Sequence, residues 1–253
     1  MRVVNLMSGM SSRLRPLTNN HHKVLLTVGH KTLIEYQLDA FNDVGIKEVI
    51  FVVGYKAEKI KSKIGNRYKD VKIEYIYNPF YLTKNINYSL FLARKEIKGE
   101  NFIYMEADLI FHPSILKEVI NSNFKNCLIV DQSINSIKVD TLITGNNNKA
   151  NGLLFKKHGH FDNEFRKKYK SKIVGEPILI IKFDSINSKF LFDELDNSNF
   201  EGSTTLYSIF DKCLKKFDMN YIITEKSWIE IDNHYDLKKA NKMFMDGKLN
   251  FIS

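Results

Sequence analysis

The stretch "LMSGMSSRLRPLTNNHHKVLL" at residues 6–26 decides the fold class. An apolar strand, predicted over residues 3–7, leads into a loop that contains Gly9 and three serines. Arg13 follows the loop, and Lys23 lies ten residues further on. In an open parallel sheet, ligands collect beyond the carboxyl ends of the strands, where free backbone N–H groups can bind phosphate oxygens. The stretch therefore predicts a phosphate-binding loop at the end of the first strand of an α/β sheet.

The two commonest phosphate-binding motifs do not account for this stretch. The P-loop requires GxxxxGK[ST] and the dinucleotide-binding loop requires GxGxxG, whereas residues 6–26 contain Gly9 as their single glycine. Another kind of phosphate chemistry is therefore needed to explain why two cations follow the first strand.

The first 110 residues alternate between strand and helix patterns. Uninterrupted apolar runs predict buried strands, and amphipathic stretches of helical period predict the helices between them. The predicted strands are 3–7, 48–54, 72–78 and 101–108, and the predicted helices are 31–45, 56–65 and 87–97. This alternation indicates an α/β fold in which a parallel sheet carries helices on both faces.

The second half of the chain is less regular. A polar stretch at residues 144–152 predicts a hairpin turn, and Asn233 is expected to open the last helix. The other predicted helices are 113–122, 188–197 and 205–217, and the other predicted strands are 126–131, 177–183, 220–225 and a short one before Asn233. Because no repeat, low-complexity linker or clear domain boundary interrupts the pattern, we expect a single domain over residues 1–253.

The formal net charge of +9 comes mainly from lysine, since only six of the 38 basic residues are arginines. Proteins that read nucleic acids favour arginine for base contacts and carry clustered basic patches. Here the lysines are scattered, except over residues 156–172. We expect mostly solvated surface lysines, a field that attracts small anionic substrates and no nucleic-acid partner. RNA binding through residues 156–172 is the weaker alternative.

Cysteine content and hydropathy bear on the compartment. Cys127 and Cys213 are too few and too far apart for a disulfide framework or a zinc site, which predicts a reduced, cytoplasmic protein. No apolar run approaches the roughly 20 residues of a membrane-spanning helix, and the N-terminus lacks the pattern of a signal peptide. We therefore expect no membrane partner. The histidines expected at the surface or in loops, without forming a metal site, are His21, His22, His158, His160 and His234.

The stretch at residues 6–26 resembles the signature of the nucleotidyltransferases that make NDP-sugars and CDP-alcohols, commonly written L-A-A-G-x-G-[ST]-R-L-x-P-L-T and followed by a lysine. The likeness continues through "KTLIEYQLDAFNDVGIKEVIFVVGYKAEKI" (31–60), "YNPFYLTKNINYSLFLARKEI" (77–97), "IYMEADLIFHPSIL" (103–116) and "WIEIDNHYDLKKAN" (228–241). The middle segments are most similar to the phosphocholine cytidylyltransferase branch of that family.

This resemblance implies the nucleotide-diphospho-sugar transferase fold, a Rossmann-like three-layer α/β sandwich with a mostly parallel mixed sheet. It implies one nucleotidyltransferase domain over residues 1–253, with a smaller acceptor-side or lid portion within about 132–182. In the reaction of the family, an acceptor phosphate oxygen attacks the α-phosphorus of an NTP and pyrophosphate leaves.

The resemblance also implies roles for the opening loop. Gly9, Ser11 and Ser12 are expected to surround the nucleotide phosphates. Arg13 is expected to contact the departing β- and γ-phosphates, and Lys23 the α-phosphate and the incoming phosphoryl oxygen, which makes these two the catalytic residues. Elementary electrostatics favours this assignment, because two anions must approach each other and need positive charge where charge builds up.

Two aspartates match the metal ligands of the family. Asp108, at the end of "YMEAD", and Asp232, in "EID", are expected to hold Mg²⁺. Each follows an apolar strand, and Mg²⁺ takes oxygen ligands, typically one or two carboxylates together with substrate phosphates. Glu106 lies two residues before Asp108 on the same face of its strand, where it either supports the metal ligands or has a structural role.

Further residues complete the expected site. The other expected nucleotide-binding residues are Leu6, Met7, Ser8, Asn85 and Ala107, and the expected acceptor-binding residues are Tyr88, Glu176, Trp228 and Glu230. Asn85 and Tyr88 lie in "KNINYSL", near the position of the Asn-rich segment of the cytidylyltransferase branch. Tyr55 and Trp228 fit either the core or an acceptor pocket.

The sequence departs from the family pattern at three places. "MSG" at residues 7–9 replaces the usual "AAG", and His22 replaces the usual proline, which predicts a less rigid loop before Lys23. Residues 201–214 lack the acidic pair that many phosphocholine-type relatives carry. A quaternary ammonium site normally combines aromatic rings with nearby negative charge. Without that acidic pair, Glu176 and the aromatic residues of the chain are the candidates for forming such a site.

We therefore expect a Mg²⁺-dependent nucleotidylyltransferase of the EC 2.7.7 class. It would transfer CMP from CTP, or another NMP from its NTP, to a phosphorylated small alcohol, amino-alcohol or phosphonate such as phosphocholine, a step in making cell-surface polysaccharide or lipid precursors. The alternatives are a sugar-1-phosphate acceptor, which would give an NDP-sugar, and a nucleotide-binding protein without the reaction. The residues leave the base, the acceptor and the oligomeric state open.

Overall fold

The computed structural model describes residues 1–133, 140–156, 161, 163–170, 172–201 and 205–249, without the side chains of Asn163 and Arg166. The β-strands are β1 (Arg2–Met7), β2 (Thr27–Val28), β3 (Lys31–Thr32), β4 (Glu48–Val53), β5 (Arg67–Tyr68), β6 (Val71–Tyr77), β7 (Phe102–Glu106), β8 (Leu109–Phe111), β9 (Cys127–Asp131), β10 (Thr141–Asn146), β11 (Lys149–Phe155), β12 (Ile173–Phe183), β13 (Asn220–Thr224) and β14 (Trp228–Glu230). The α-helices are α1 (Leu33–Asp43), α2 (Ala57–Ile64), α3 (Ile86–Leu92), α4 (Arg94–Ile97), α5 (Pro113–Asn121), α6 (Asn163–Lys168), α7 (Ser185–Asp196), α8 (Leu206–Lys216) and α9 (His234–Met245).

One large sheet has the strand order β10-β11-β13-β9-β12-β7-β1-β4-β6-β5. Strands β7, β1, β4 and β6 are parallel neighbours, and β9 is parallel to β13. Strand β12 runs antiparallel to both β7 and β9 and so joins the two parallel groups. The predicted α/β fold with a mostly parallel mixed sheet is therefore confirmed.

Helices cover both faces of this sheet. Apolar side chains of α1, α2 and α5, such as Phe41, Ile60 and Leu116, pack against one face. Side chains of α3, α4, α7 and α8, such as Phe192 and Phe210, pack against the other. The predicted three-layer arrangement is confirmed, and it leaves the carboxyl ends of β1, β4 and β7 together at one edge of the sheet.

A two-stranded ribbon lies apart from the large sheet. Strands β8 and β14 pair antiparallel, with Leu109 opposite Glu230, and the Ile231 amide donates to the Asp108 carbonyl at 3.0 Å. The outer side of the ribbon packs on a small apolar cluster that contains Leu14, Ile229 and residues of α9. The ribbon thus holds the segments around residues 108 and 232 side by side, although they are far apart in sequence.

Capping residues explain where two of the helices begin. At the start of α1, Thr32 and Glu35 form a reciprocal capping box. At the start of α9, Asn233 and Asp236 form another, which confirms the predicted opening of this helix at Asn233. The second box also fixes the backbone next to Asp232, because Asp236 accepts a hydrogen bond from the Asp232 amide at 3.1 Å.

Some boundaries differ from the predictions. The predicted helix 87–97 is interrupted at Ala93 and forms α3 and α4. The hairpin turn predicted over residues 144–152 is only the pair Asn147–Asn148, both with positive φ, and the rest of that stretch is strand. Asparagine tolerates the left-handed conformation, which a two-residue hairpin turn requires, so the local polarity overstated the length of the turn.

Two other expectations concern partners. Within the described ranges, no helix combines the length and the apolar character that crossing a bilayer requires. The lysine-rich stretch 156–172, considered above for RNA binding, lies partly outside the described residues. His158 and His160 lie wholly outside them.

The end of β4 packs closely against the end of β1. A Cβ atom on Gly54 would lie 2.8 Å from the Ser8 carbonyl oxygen and 2.8 Å from Cβ of Tyr81, and the Tyr55 amide donates to the Ser8 carbonyl at 3.0 Å. A Cβ atom on Gly9, in contrast, would have no described atom within 4 Å. Gly54 is therefore needed for packing, whereas Gly9 faces open space at the sheet edge.

We predict that Gly54→Ala lowers the free energy of unfolding by about 1–3 kcal/mol, because the new methyl group overlaps main-chain atoms at Ser8. Gly9→Ala is the matched control and should change that free energy by less than about 1 kcal/mol. Urea denaturation of both variants measures the difference. Equal stability of the two variants would contradict the close approach of the two strand ends.

Candidate active site

Lys23 lies at the centre of the candidate site. Its Nζ atom forms a very short ion pair with Oδ2 of Asp108 and lies 3.3 Å from Oδ1 of Asp232. Burial by itself would lower the pKa of Lys23, but the two carboxylates outweigh it and raise the pKa above its usual range. Lys23 is therefore a permanent cation held between two aspartates.

Arg13 is the second cation of the site. Its Nη2 atom lies 2.8 Å from Oδ1 of Asp232, the same oxygen that Lys23 approaches. The Arg13 side chain is 68% exposed and that of Asp232 is 24% exposed. The structure thus brings together Arg13, Lys23, Asp108 and Asp232, and it leaves the guanidinium accessible to a ligand.

A carboxylate cluster adjoins Lys23. Glu106, Asp108 and Glu230 each place an oxygen within 4.8 Å of the others. Glu106 is the last residue of β7, and Asp108 lies two residues later, just before β8. Glu230 is the last residue of β14, which pairs with β8, so the register of that pairing sets the distance from Glu230 to the other two carboxylates. Asp232 is not a member of this group, because its carboxylate turns towards Arg13 and Lys23.

The proximity of these acids perturbs their titration. Burial, together with the negative charge of Asp108, raises the pKa of Glu106 to about 8. Burial and then the charges of Asp108 and Asp232 raise the pKa of Glu230 well above its usual range. Lys23 opposes both shifts. The cluster therefore has more negative charge than Lys23 can neutralise, so it favours binding of an additional cation or retention of protons.

The donor set suits a divalent cation. In the described part of the chain, Oδ1 of Asp108 is buried and has no hydrogen-bond partner, and a buried carboxylate oxygen without a partner is costly. Glu106 and Glu230 supply further oxygens within reach of the same point. Oxygen-only donors of this kind match the preference of hard cations such as Mg²⁺. The residues present therefore fit a divalent metal ion.

The loop after β1 is fixed from behind. Oγ of Ser8 lies 2.7 Å from Oγ of Ser89 on α3, and Asn78, at the end of β6, donates to the same Ser89 oxygen at 3.0 Å. Asn78 also accepts a hydrogen bond from the Phe80 amide at 2.8 Å. These contacts join the loop after β1 to the segment that leads into α3. Gly9 lies beyond them, with open space where its side chain would be.

His22 lies in a loop, one of the two expected settings, and its side chain is buried. Its Nδ1 accepts a hydrogen bond from the Val24 amide at 3.3 Å and so caps the short 3₁₀ helix that carries Lys23. Burial and the neighbouring Lys23 lower the pKa of His22 to about 3, which keeps the imidazole neutral.

The remaining expected nucleotide-binding residues occupy different environments. The side chains of Leu6, Met7 and Ala107 are buried in the core, so only their backbone can face a ligand. Ser11 has a positive φ and opens the short helix that begins at Ser12 and includes Arg13. Asn85 caps α3 by accepting from the Asn87 amide, and its own amide donates to the Phe200 carbonyl.

The expected acceptor-binding residues do not form one group. Glu230 belongs to the carboxylate cluster, whereas Tyr88 packs against Phe91 and Phe200. Trp228 is partly buried and its Nε1 donates to Oδ2 of Asp131 at 2.8 Å. Glu176 on β12 lies opposite Asp131 in the sheet register. Tyr55 takes a loop-supporting position, with its hydroxyl 2.8 Å from the carbonyl oxygens of Thr18 and Asn19.

Two residues of the site are not evident from the sequence. Gln37 on α1 is buried, and its Nε2 donates to the Glu106 carbonyl at 3.0 Å and the Leu109 carbonyl at 2.8 Å, so it holds the turn on both sides of Asp108. Burial raises the pKa of Tyr207 well above its usual range, and Glu106 and Glu230 add to this shift. A polar residue on the apolar face of α1 was the available signal for Gln37, and Tyr207 had none.

Comparison with known proteins agrees with this geometry. Residues 3–141, more than half of the chain, match the family model described as nucleotidyl transferase. The chain is 25% identical over 255 aligned positions to the bifunctional protein GlmU of Methanococcus vannielii, covering 100% of this chain and 57% of the relative. It is 35% identical over 106 residues to the choline-phosphate cytidylyltransferase of Streptococcus pneumoniae, covering 41% of this chain and 43% of the relative. The chain thus spans about half the length of these relatives.

Solved structures show the same architecture. A Bacillus anthracis protein, solved as a candidate glucose-1-phosphate thymidylyltransferase, superposes with a TM-score of 0.78 at 19% identity and covers 99% of both chains. At this level of identity the likeness establishes the fold. Together with the matching family model, it shows that this chain belongs to the nucleotidyl transferase family and has the α/β fold of such enzymes.

Proposed function

We propose that this chain is a Mg²⁺-dependent cytidylyltransferase that transfers CMP from CTP to a phosphorylated small alcohol, amino-alcohol or phosphonate, with phosphocholine as the leading example, and releases pyrophosphate. The observation that carries the proposal is the contact of Lys23 with both Asp108 and Asp232, with Arg13 on the same aspartate. Membership of the nucleotidyl transferase family and the cytidylyltransferase relative support it.

Lys23 and Arg13 have the positions that transfer between two anions requires. The acceptor phosphate oxygen forms a bond to the α-phosphorus of CTP while the bond to the departing pyrophosphate breaks. We assign Lys23 to the α-phosphate and the incoming oxygen, and Arg13, the more exposed cation, to the departing phosphates. Neither reacting oxygen carries a proton at neutral pH, so the reaction needs fixed positive charge rather than a general base.

The aspartates take the complementary role. Asp108 and Asp232 would hold Mg²⁺, with Glu106 and Glu230 close enough to Asp108 to assist. When bound, the ion would supply positive charge to the phosphate oxygens around the α-phosphorus, where one bond forms and another breaks. Lys23 and Arg13, which pair with these aspartates, would offer positive charge to the phosphate oxygens of the substrates.

We assign the nucleotide to the loop after β1. The loop residues are Ser8, Gly9, Ser11 and Ser12, together with the backbone of Leu6 and Met7, while Asn85 and Ala107 border the same edge of the sheet. The open space at Gly9 and the buried support from Ser89 favour this assignment. Phosphate oxygens bind well to backbone N–H groups at such a strand end.

The acceptor is assigned to the side of the carboxylate cluster. Glu106 and Glu230 lie near Tyr207, which stacks on Phe155 with ring centroids 4.3 Å apart. Carboxyl groups beside aromatic rings suit a cationic group such as an ammonium, whose charge would favour their ionised form. This supports an acceptor that carries an amine over a sugar phosphate, whose sugar carries no positive charge. Tyr88, Glu176 and Trp228 remain candidate acceptor-binding residues, with the acceptor-side portion within 132–182 as part of a single domain, although their described contacts do not bring the three together.

A matrix of the four NTPs against phosphorylated acceptors, with released pyrophosphate as the signal, tests the proposal. Phosphocholine, phosphoethanolamine, an aminoalkylphosphonate and glucose-1-phosphate are suitable acceptors. We expect CTP with an amine-bearing acceptor to give the highest turnover. Preference for glucose-1-phosphate would favour the sugar alternative, and nucleotide binding without pyrophosphate release from any pair would favour a non-catalytic nucleotide-binding protein.

We predict that Lys23→Ala lowers turnover by about 10²–10³-fold, the usual cost of removing one group that stabilises transition-state charge. Steady-state pyrophosphate release measures it. Lys117→Ala, at an exposed position on α5, is the matched control and should leave turnover unchanged. Unchanged turnover in Lys23→Ala would rule out its catalytic role.

We predict that, without metal, Glu106 makes a contribution to the free energy of unfolding that is lost as the pH rises from about 4.5 to about 8. The folded protein keeps a proton on Glu106 in this window whereas the unfolded chain releases it, since the folded pKa is raised from 4.5 to about 8. Glu106→Gln should flatten this dependence, and Mg²⁺ should restore stability to the unmodified protein at the alkaline end. Urea titrations in chelator measure it, with exposed Glu74→Gln as control; identical pH slopes in the two variants would refute the assignment.

A further inference from the structure

The loop that presents Arg13 is fastened at both ends. The Ser11 carbonyl accepts hydrogen bonds from the Leu14 amide at 3.1 Å and from Oγ1 of Thr18 at 2.8 Å. At the far end, the Tyr55 hydroxyl lies 2.8 Å from the Thr18 carbonyl oxygen. These contacts fold residues 11–18 into a compact unit, in which Leu14 is buried in an apolar cluster with residues of α9 while Arg13 and Arg15 are exposed.

Two contacts join the middle of this loop to the start of α9. The first is the ion pair between Arg13 and Asp232, at 2.8 Å. In the second, Nε2 of His234 lies 2.7 Å from the Arg15 carbonyl oxygen. His234 is the first residue of α9, directly after the capping residue Asn233, so its backbone is held by the capping box.

Substrate binding is expected to break one of these two contacts and to leave the other in place. On the proposed function, Arg13 would contact the departing phosphates and Asp232 would help to hold Mg²⁺, so neither side chain would stay committed to their ion pair. The hydrogen bond of His234 goes to a main-chain carbonyl and uses neither side chain. It is therefore the polar link between loop and helix that can persist while Arg13 binds phosphate.

We propose that His234 is a positioning residue that keeps the Arg13 loop docked on the start of α9 after the Arg13–Asp232 pair has separated. Its Nε2–H group donates to the Arg15 carbonyl, and the residue acts on the reaction through Arg13. Leu14, which lies between Arg13 and Arg15 in the sequence, is fully buried and anchors the loop by apolar packing. His234 restrains the polar side of the loop. The kinetic part of this inference rests on the proposed function, whereas the docking part does not.

His234→Ala tests the kinetic role. We expect kcat/KM for CTP to fall by about 2–10-fold, which corresponds to one net hydrogen bond, and His234→Gln to restore most of it, since a glutamine amide can donate to the same carbonyl. Tyr235→Ala, at the adjacent exposed position, is the control and should not change kcat/KM. Equal losses in His234→Ala and His234→Gln would overturn the inference.

A double-mutant comparison separates positioning from general stability. In an Arg13→Ala background, His234→Ala should cause no further loss of kcat/KM, because the group that it positions is gone. A full additive loss in the double variant would overturn the inference, since it would show that His234 acts independently of Arg13.

Hydrogen exchange tests the docking without any substrate. The Leu14 and Arg15 amides donate to carbonyls within the loop and should exchange slowly. His234→Ala should accelerate their exchange more in the Arg13→Ala background than in the unmodified protein, where the ion pair still holds the loop. Unchanged exchange in both backgrounds would overturn the docking role. Faster exchange in a protein that releases no pyrophosphate with any acceptor would instead reject the proposed function alone.

Discussion

The ion pairs of Lys23 with Asp108 and Asp232 are the contacts around which the candidate site is arranged. A buried lysine is destabilising unless carboxylates compensate for its lost hydration, and carboxylates crowded together are destabilising unless a cation lies among them. Each group therefore requires the others. The elevated pKa values of Glu106 and Glu230 show that this compensation is incomplete, which is the electrostatic condition under which a further cation binds well.

The β8–β14 ribbon places these groups together, with α9 and the small apolar cluster behind it. Its pairing sets Asp108 next to the Ile231 amide, and Gln37 secures the turn from the side of α1. The large sheet contributes the loop after β1 and Glu106, and the segments beside the ribbon contribute Asp108, Glu230 and Asp232. The proposed chemistry would take place where these two pieces of structure meet, so its residues come from the beginning, the middle and the end of the chain.

The proposed acceptor side combines residues of several elements. Residues 201–214 lack the acidic pair expected of phosphocholine-type relatives, yet α8 carries Tyr207, which lies near Glu106 and Glu230. The carboxyl groups of β7 and β14 thus lie near the aromatic pair that Tyr207 forms with Phe155 of β11. This combination underlies the proposal of an acceptor that carries both a phosphate and a positive charge.

The sequence by itself determined the α/β class and the positions of most helices and strands, because hydrophobic period is a local property. The grouping of Arg13, Lys23, Asp108 and Asp232 as site candidates came from the resemblance of their motifs to the nucleotidyltransferase family. The close approach of Gly54 to Ser8, the capping by His22 and the contact of His234 with Arg15 were decided by the tertiary structure. The same holds for the meeting of Glu106 with Glu230. Such contacts depend on strand register and on how the ribbon packs against the sheet, which arise from the packing of the whole chain rather than from any one segment.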